Sequence, residues 1–378
     1  MTPPSAPVGA PGTPPDESKS PVNRGHETHK GITMADIAKA AGVSQGAISS
    51  LLNDRDYGIR VSEKTRDRVF RVCREMGYVP NDLRAVVRMY PELGDFCVLL
   101  SSELEDLPSD PFQSRVISGA MAAITESVTI ARYLPDVDYA AAESEVQPQP
   151  VRSGTTSKFL LVGKPNASLC QLLVARGFGV ALAGHEMSLA GVTSILPDYA
   201  GASRIAIDYL FGLGHKRIAI LSGPFGATEH HYIELNRGVR AGYDKAGVPI
   251  EAQNIIYGDL TMEAGYQAFD VLFDRPNPPS AIFCFDDAAA AGVLARAQAR
   301  GIKVPEALSV IGCSDDALST HLQPPLTTIH LPAEAIGVTA VTETDRRVRE
   351  REAFPGDAKT VLLSVKLVER ASTGAPKA

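Results

Sequence analysis

Tryptophan is absent, and aromatic residues make up only 6% of the 378 positions. A core must therefore be built from aliphatic side chains, and the hydrophobic share of 44% is ample for that. Cysteine is sparse. Cys73, Cys97, Cys170, Cys284 and Cys313 are odd in number, far apart and without a C-x-x-C pair. That spacing excludes a disulfide frame or a zinc site and fits reduced, buried thiols in a cytoplasm. No run of roughly 18 apolar residues occurs, so no membrane-spanning helix is expected. A basic segment followed by an apolar run is missing from the start of the chain, so no secretory leader is expected. Neither a G-x-x-x-x-G-K-[ST] loop nor an intact G-x-G-x-x-G is present, which removes those two phosphate-binding devices.

The net charge of −7 is wrong for a uniformly basic nucleic-acid binder, but it is unevenly spread. Residues 31–90 hold ten Lys and Arg against seven acids, and residues 1–30 balance. That leaves −10 on residues 91–378. A small basic head on a large acidic body suggests two jobs in one chain.

Residues 1–30 carry seven prolines and almost no large apolar residue, so they are expected to be a disordered tail. From residue 31 the pattern turns helical. Thr33 suits the cap of a helix through Ala40, and Gly42 breaks it. Ser44 suits the cap of a second helix, Gln45 to Leu52. A polar loop covers 53–61, and Ser62 opens a third helix with Val69, Val72, Cys73 and Met76 on one face. Ile37, Val43, Ile48 and Leu51 would form a minimal core. This is a helix-turn-helix arrangement over 31–80. Asn81 suits the cap of a short fourth helix, 82–89, in a segment 81–93 that joins head to body.

Beyond residue 94 strand-like and helix-like runs alternate. The strands read 96–101, 129–134, 159–162, 179–183, 217–222, 255–257, 281–285 and 309–313. Helices are expected over about 113–127, 167–176, 199–213, 233–247, 262–274 and 287–301. Such alternation predicts parallel sheets covered by helices on both faces, and the length fits two of them. The stretch 135–157 carries no clear pattern.

The run Thr33-Met34-Ala35-Asp36-Ile37-Ala38-Lys39-Ala40-Ala41-Gly42-Val43-Ser44 resembles the start of a LacI/GalR-family transcription regulator. So do Ala47-Ile48-Ser49 with Asn53, Val61 to Arg66, and Gly77-Tyr78-Val79-Pro80-Asn81. Leu213 to Ala219, Pro305 to Gly312, Pro324 to Ile329 and Leu367 to Gly374 continue the resemblance in family order, over about 32–374. It implies a small all-α helix-turn-helix head with a hinge helix. A two-lobed α/β body like a periplasmic binding protein follows, with two parallel doubly wound sheets. Lobe 1 would take about 94–194 and 323–352, and lobe 2 about 195–322 and 353–374. The implied partners are operator DNA, a second copy of the chain, and a small, carbohydrate-like effector, with no cofactor, metal or membrane. The implied location is cytoplasmic, with the nucleoid.

The second helix of the head would enter the major groove with its N-terminal residues at base edges. Gln45, Gly46, Ser49 and Ser50 hold those positions, and the Gln45 amide can pair bidentately with adenine. Thr33, Met34 and Ala47 fall in the same matched runs. Ser44, Asn53, Ser62, Thr65, Tyr78 and Asn81 match phosphate-contacting positions. Three departures stand out. Ser50 replaces a long, Arg-like residue, Gly46 is bare, and the loop after Asn53 is longer than usual and carries Arg55, Tyr57 and Arg60. In the hinge segment Val87 matches the family's minor-groove leucine wedge, with Arg84 and Arg88 one turn apart to follow phosphates.

In the body the resemblance points to Asp287, in Phe283-Cys284-Phe285-Asp286-Asp287, as an acceptor for sugar hydroxyls. Asp110 and Phe112 match an Asn-Pro-Phe segment, and Asp198 matches an acid near the lobe crossover. His185, Ser314 and Asp315 complete the expected effector set with Leu235, which stands where the family often has an arginine. Enzyme readings are weak. Gly42-Val43-Ser44-Gln45-Gly46 fits G-x-S-x-G, but a helix precedes it where a hydrolase needs a strand. His230 and His231 are adjacent and would point about 100° apart on a helix, which suits a metal badly. Asp286 and Asp287 are explained by a helix start and ligand binding as readily as by acid–base work.

The sequence thus reads as a DNA-binding regulator. Two other readings stay open: a ligand-binding protein with a vestigial head, and a regulator whose body only dimerises. A fragment covering 94–378 separates the first of these from the regulator. The regulator loses DNA binding in a mobility-shift assay when the head is removed, whereas the binding-protein reading expects the fragment to keep the whole activity.

Overall fold

The computed structural model describes residues 32–53, 61–78, 87, 94–103, 110–350 and 356–377. The expected tail 1–30, the loop arginine Arg60, and Asn81, Arg84 and Arg88 of the hinge segment lie outside these residues.

The head is three helices: α1 (Met34–Ala41), α2 (Gln45–Asn53) and α3 (Glu63–Glu75). Thr33 closes a capping box with Asp36, accepting from its backbone N at 3.3 Å while the Asp36 carboxylate accepts from Thr33 N at 2.9 Å. Gly42 ends α1 at φ 64°, a conformation glycine adopts without strain. Ser44 Oγ accepts from Ala47 N at 3.1 Å and starts α2. Ile37, Ile48, Leu52, Val69, Phe70 and Cys73 pack as the core, with Val43, Leu51, Val72 and Met76 at its edge. Phe70, one residue on from Val69, also turns inward.

The body holds two six-stranded sheets. Lobe 1 contains β1 (Asp95–Ser101), β2 (Val128–Tyr133), β3 (Thr156–Val162), β4 (Gly179–Ala183), β5 (Val192–Pro197) and β11 (Lys359–Leu363), in the order β11-β5-β4-β3-β1-β2. All its pairings are parallel. Lobe 2 contains β6 (Ile218–Ser222), β7 (Ile255–Tyr257), β8 (Ala281–Cys284), β9 (Ser309–Ser314), β10 (Thr327–His330) and β12 (Lys366–Val368), in the order β12-β10-β9-β8-β6-β7. Only β12 runs antiparallel to its neighbour. The helices are α4 (Pro111–Ala123), α5 (Gln149–Ser153), α6 (Ala167–Ala175), α7 (Tyr199–Gly212), α8 (His230–Ala246), α9 (Met262–Phe273), α10 (Asp287–Ala299) and α11 (Ala333–Glu350).

Each sheet is buried on both faces, as parallel sheets require. In β1, Phe96, Val98 and Leu100 face one core while Cys97 and Leu99 face the other. In lobe 2 the same alternation puts Ile218 and Ile220 on one side and Ala219 and Leu221 on the other. All five cysteines are buried and free.

The doubly wound architecture matches the expectation, and the lobe boundaries need correction. Strand β5 lies wholly in lobe 1, so the boundary at 194 cut through it. Thr327–His330, expected in lobe 1, pairs with β9 of lobe 2, and Lys359–Leu363, expected in lobe 2, pairs with β5 of lobe 1. These edge and late strands are short, and their pairing is decided by which sheet edge stands open after the chain crosses between lobes. The uncertain stretch 135–157 contains a 3₁₀ turn at Ser144–Val146 and the short α5 before β3 begins.

Three helix pairs pack backbone to backbone through glycine. A Cβ on Gly119 (α4) would stand 2.0 Å from Glu334 O, and one on Gly337 (α11) 2.0 Å from Val116 O. Gly238 (α8) approaches Ala200 O at 2.1 Å, and Gly292 (α10) approaches Met262 O at 1.9 Å, by the same construction. Gly337→Val therefore forces α4 and α11 apart and should cost about 1–3 kcal/mol or more in chemical denaturation. Gly212→Ala, where a Cβ meets nothing within 4 Å, should leave the midpoint unchanged or slightly raised.

Candidate DNA interface and ligand cleft

In the head, the capped start of α2 presents Gln45 and Gly46 to solvent, with Ser44 beside them. Thr33 and Ser62 are exposed, and Met34, Ser49, Ser50, Thr65 and Tyr78 are half-buried. Ser62 Oγ lies 2.9 Å from Thr65 Oγ1 and accepts from Thr65 N at 3.3 Å, so these two positions form one polar corner at the start of α3. Asn53 is the last residue of α2. Lys64, Arg68 and Arg71 are exposed along α3 and add positive charge. Two of the expected positions are buried. Ala47 is only 7% exposed, inward of the exposed α2 start. Val87 is 2% exposed, with its Cγ1 3.0 Å from where a Cβ on Gly94 would be. A branched apolar side chain leaves water for the nearest available surface, so Val87 must leave this contact before it can act as a wedge.

In the body, the carboxyl ends of both sheets meet at a seam between the lobes. Asp110 caps α4, its Oδ1 accepting from Gln113 N at 3.0 Å. The Phe112 ring packs on the cores of both lobes and so marks the seam. Arg115, one turn further along α4, crosses to lobe 2. Its Nη2 donates to Ser314 O at 2.9 Å, Ser314 Oγ at 3.2 Å and Asp316 Oδ1 at 3.2 Å. On the other side of the seam His230 Nδ1 lies 2.9 Å from Glu186 Oε2, and Tyr199 OH donates to Gly184 O at 3.4 Å.

The expected effector residues divide. Asp110, Phe112 and His185 are at the seam. Asp287 is not available to a ligand: its Oδ1 accepts from Thr328 Oγ1 at 2.6 Å and its Oδ2 from Asp316 N at 2.9 Å. It holds the loop after β9 against β10. The neighbour Asp286 is the helix cap, accepting from Ala288 N at 2.7 Å, and is the partly exposed member of the pair. Asp315 is also spent, on Arg370 Nη2 at 2.6 Å and His330 Nδ1 at 2.9 Å; burial alone would raise its carboxyl, but these hydrogen bonds and the Arg370 charge hold it below the usual range. Ser314 is buried and donates to Asp316 Oδ1 at 2.8 Å while Arg115 holds its carbonyl. Asp198 caps α7 through Gly201 N at 2.8 Å. Leu235 is 3% exposed in the lobe 2 core and touches no cleft. His215, within the matched run Leu213 to Ala219, is buried and bonds Ser280 Oγ at 2.9 Å and Ser309 Oγ at 3.0 Å.

Sequence reading missed Gln113, Arg115, Asp286 as the exposed acid, and Asp316. The helical spacing after Asp110-Pro111-Phe112 puts Arg115 one turn from the cap, which was a signal for a seam position. Nothing local showed that its partners lie some 200 residues away, as they do.

Burial keeps the histidines neutral, lowering His185 and taking His231 down to about 4. It pushes Asp110 up and Asp286 up to about 7, helped in each case by the other carboxylates around the seam. Burial likewise takes the Cys97 and Cys170 thiols up to about 12, which makes them poor nucleophiles. Among the described residues no group of three or more His, Cys, Asp or Glu could hold a metal, and no helix is long and apolar enough to cross a membrane.

A helical head with an exposed, capped second helix, joined to two lobes that meet at the carboxyl ends of their strands, has the architecture of a helix-turn-helix domain carried on a two-lobed, binding-protein-like body. Residues 33–81 match the family model described as "Bacterial regulatory proteins, lacI family", and residues 207–373 match "Periplasmic binding protein-like domain". The chain is 31% identical over 358 residues to the HTH-type transcriptional repressor CytR of Escherichia coli (strain K12), covering 91% of this chain and 96% of that one. It is 29% identical to the HTH-type transcriptional regulator DegA of Bacillus subtilis (strain 168), over 90% of this chain and 98% of that one. Among solved structures it resembles a transcriptional regulator CelR–cellobiose complex, with TM-score 0.60 and 25% identity over 90% of this chain and 99% of that one. It also resembles the lac repressor dimer bound to operator, with TM-score 0.58 and 22% identity over 92% of this chain and all of that one. The chain belongs to the LacI family of bacterial transcriptional regulators. Its relatives are regulators, not enzymes, and the G-x-S-x-G match falls on the turn between two helices.

The ordinary value for Asp286 is 3.8, so between about pH 4 and 7 the folded state keeps a proton there that the unfolded chain has released. Stability from this group is thus lost as pH rises through that window. Asp286→Asn should match the parent midpoint at or below about pH 4 and exceed it increasingly from there, by a few degrees at pH 8, in thermal denaturation. A difference that does not grow with pH would contradict this.

Proposed function

We propose that the chain is a cytoplasmic repressor that binds a pseudo-palindromic operator as a homodimer, with a small carbohydrate-like molecule in the seam changing its affinity for DNA. The observation that carries the DNA side is the start of α2. Ser44 is spent as a cap, which leaves Gln45 and Gly46 projecting from a helix end that is otherwise fully packed. Gln45 reads a base edge, and Ser44, Asn53, Ser62, Thr65, Tyr78 and Thr33 set the head on phosphates. The charge split between head and body supports the same division. The relatives named as repressors and the operator-bound dimer among the structural neighbours agree with it.

The effector side is supported by the seam itself and by neighbours solved with cellobiose and with ribose, the latter a regulator from Enterococcus faecium with TM-score 0.63 and 21% identity, covering 75% of this chain and all of that one. Leu235 favours the rival reading of a body that only dimerises, because a core leucine fills a place where the family often has an arginine. Against that, the seam encloses polar groups with no partner, which a purely dimerising body does not need. A ligand that weakens DNA binding is itself bound less well by the DNA complex, by linkage.

Selection of bound duplexes from a random pool, sequenced at two salt concentrations, tests the DNA side. The expected result is an enriched palindrome with fixed half-site spacing whose binding falls steeply with salt. Gln45→Ala should relax selection at one base of each half-site, losing about 1–3 kcal/mol of discrimination there. No enrichment at low salt, from folded and dimeric protein with and without a metabolite mixture, would favour a vestigial head.

A further inference from the structure

We propose that the seam selects an uncharged, hydroxyl-rich ligand and rejects its phosphorylated or carboxylated counterparts, with Gln113 and Arg115 as the specificity-determining residues. This rests on the reading of the seam as the effector site and adds the charge of the ligand to it.

Two enclosed groups at the seam lack partners. Gln113 is only 7% exposed, and its Oε1 accepts nothing. Its side chain lies beside the Phe112 ring against Gly184: from a Cβ built there, Phe112 Cε1 is 3.2 Å away and Gln113 Nε2 4.0 Å. Since Phe112 touches the cores of both lobes, the Gln113 amide beside it lies close to the seam. Arg115 Nε is the second group. Its terminal nitrogens are occupied by the 314–316 loop, while Nε is buried with no acceptor. A buried donor or acceptor left unmade costs most of its desolvation energy, so the Gln113 acceptor on the lobe 1 side and the Arg115 donor on the lobe 2 side each have one bond still to make.

A ligand carrying several hydroxyl groups can serve both, because each hydroxyl can donate to one and accept from the other. An ammonium cannot accept from Nε, and a phosphate at neutral pH has little to donate to Oε1. The surrounding charge decides against anions more strongly. Asp110 comes from lobe 1, and Asp286 and Asp316 from lobe 2; beyond the effect of burial, Asp316 helps to raise Asp110, and Asp316 and Asp110 help to raise Asp286. The one guanidinium among them, Arg115, is already matched by Asp316. His185 and His231 are held neutral by burial. Arg370 and His330 are committed to Asp315, and His230 to Glu186 at the rim. A ligand anion would find no uncommitted cation at this seam among the described residues and at least two carboxyl groups of its own sign.

The test uses the full chain at pH 7.5 and matched probes: ribose, glucose and cellobiose against ribose 5-phosphate, glucuronate and cellobionate. Thermal denaturation reports binding, because a ligand of the folded state raises the midpoint by mass action, and titration calorimetry gives the affinities. At least one neutral sugar should raise the midpoint, with its anionic counterpart at least tenfold weaker. Gln113→Leu, which keeps the volume and removes the acceptor, should abolish the neutral sugar's shift. Asp286→Asn should narrow the gap between the two members of the pair. An anionic probe that binds as tightly as its neutral counterpart would overturn the charge selection and leave the effector reading intact. Full neutral-sugar binding by Gln113→Leu would remove Gln113 from the site. If no probe of either class shifts a protein that still binds DNA, the effector reading falls and this inference with it.

Discussion

Parallel strands leave all their carboxyl ends at one edge of a sheet, and the seam depends on that constraint. Both lobes are built from parallel strands, so each gathers its loops and helix starts on one side. The lobes then meet along those sides. α4 and the Asp286 cap reach the seam by this route, as does the loop after β9 with its residues Ser314 and Asp315 at positive φ. The helix starts also bring unsatisfied backbone N–H groups, and these explain why acids collect there. Asp110, Asp198 and Asp286 each cap a helix, and only the packing decides which of them keeps an oxygen to spare.

The described contacts across the seam are hydrogen bonds and ion pairs, with the Phe112 ring as an apolar contact between them. Arg115 supplies most of them, reaching two carbonyls, a hydroxyl and a carboxylate on the other lobe. The Glu186–His230 pair and Tyr199 close the other side. Hydrogen bonds of this kind exchange readily with water or with a ligand, each worth on the order of 1 kcal/mol net. The lobes themselves are tied much more firmly, by double-sided aliphatic cores and by helix pairs in backbone contact at glycine. Rigid lobes joined by a weak polar seam are the mechanical condition for a small molecule to alter how they sit together.

The two halves of the protein were legible to different degrees. In the head, nearly every element boundary followed from caps and helical spacing, because Thr33, Gly42, Ser44 and Ser62 act on the residues next to them. The burial of Ala47 and Val87 was not legible, since it depends on what packs over a side chain. In the body the alternation of strands and helices was plain, and the helices expected up to residue 301 fell within a few residues of their places, while α11 (Ala333–Glu350), the longest of those described, was not anticipated. The late strands were not. Thr327–His330 and Lys359–Leu363 are too short to declare themselves, and their sheet is set by an edge left open by residues far earlier in the chain.

The site shows the same division more sharply. Sequence pattern picked out the Asp-Pro-Phe segment and the Asp286-Asp287 pair. It named Asp287 where the structure turns Asp286 outward, because two adjacent residues at a helix start point in different directions and only the neighbouring loop and strand settle which is enclosed. What the sequence determined by itself was the family, the helix-turn-helix head, the class of fold and the division of charge, all of which rest on local chemistry and spacing. What the tertiary structure decided was the assignment of strands to lobes, the commitment of Asp315 and Asp287 to internal bonds, and the meeting of Gln113, Arg115 and three carboxyl groups at one seam. Those are long-range outcomes of packing, in which the partners of a side chain lie hundreds of residues away.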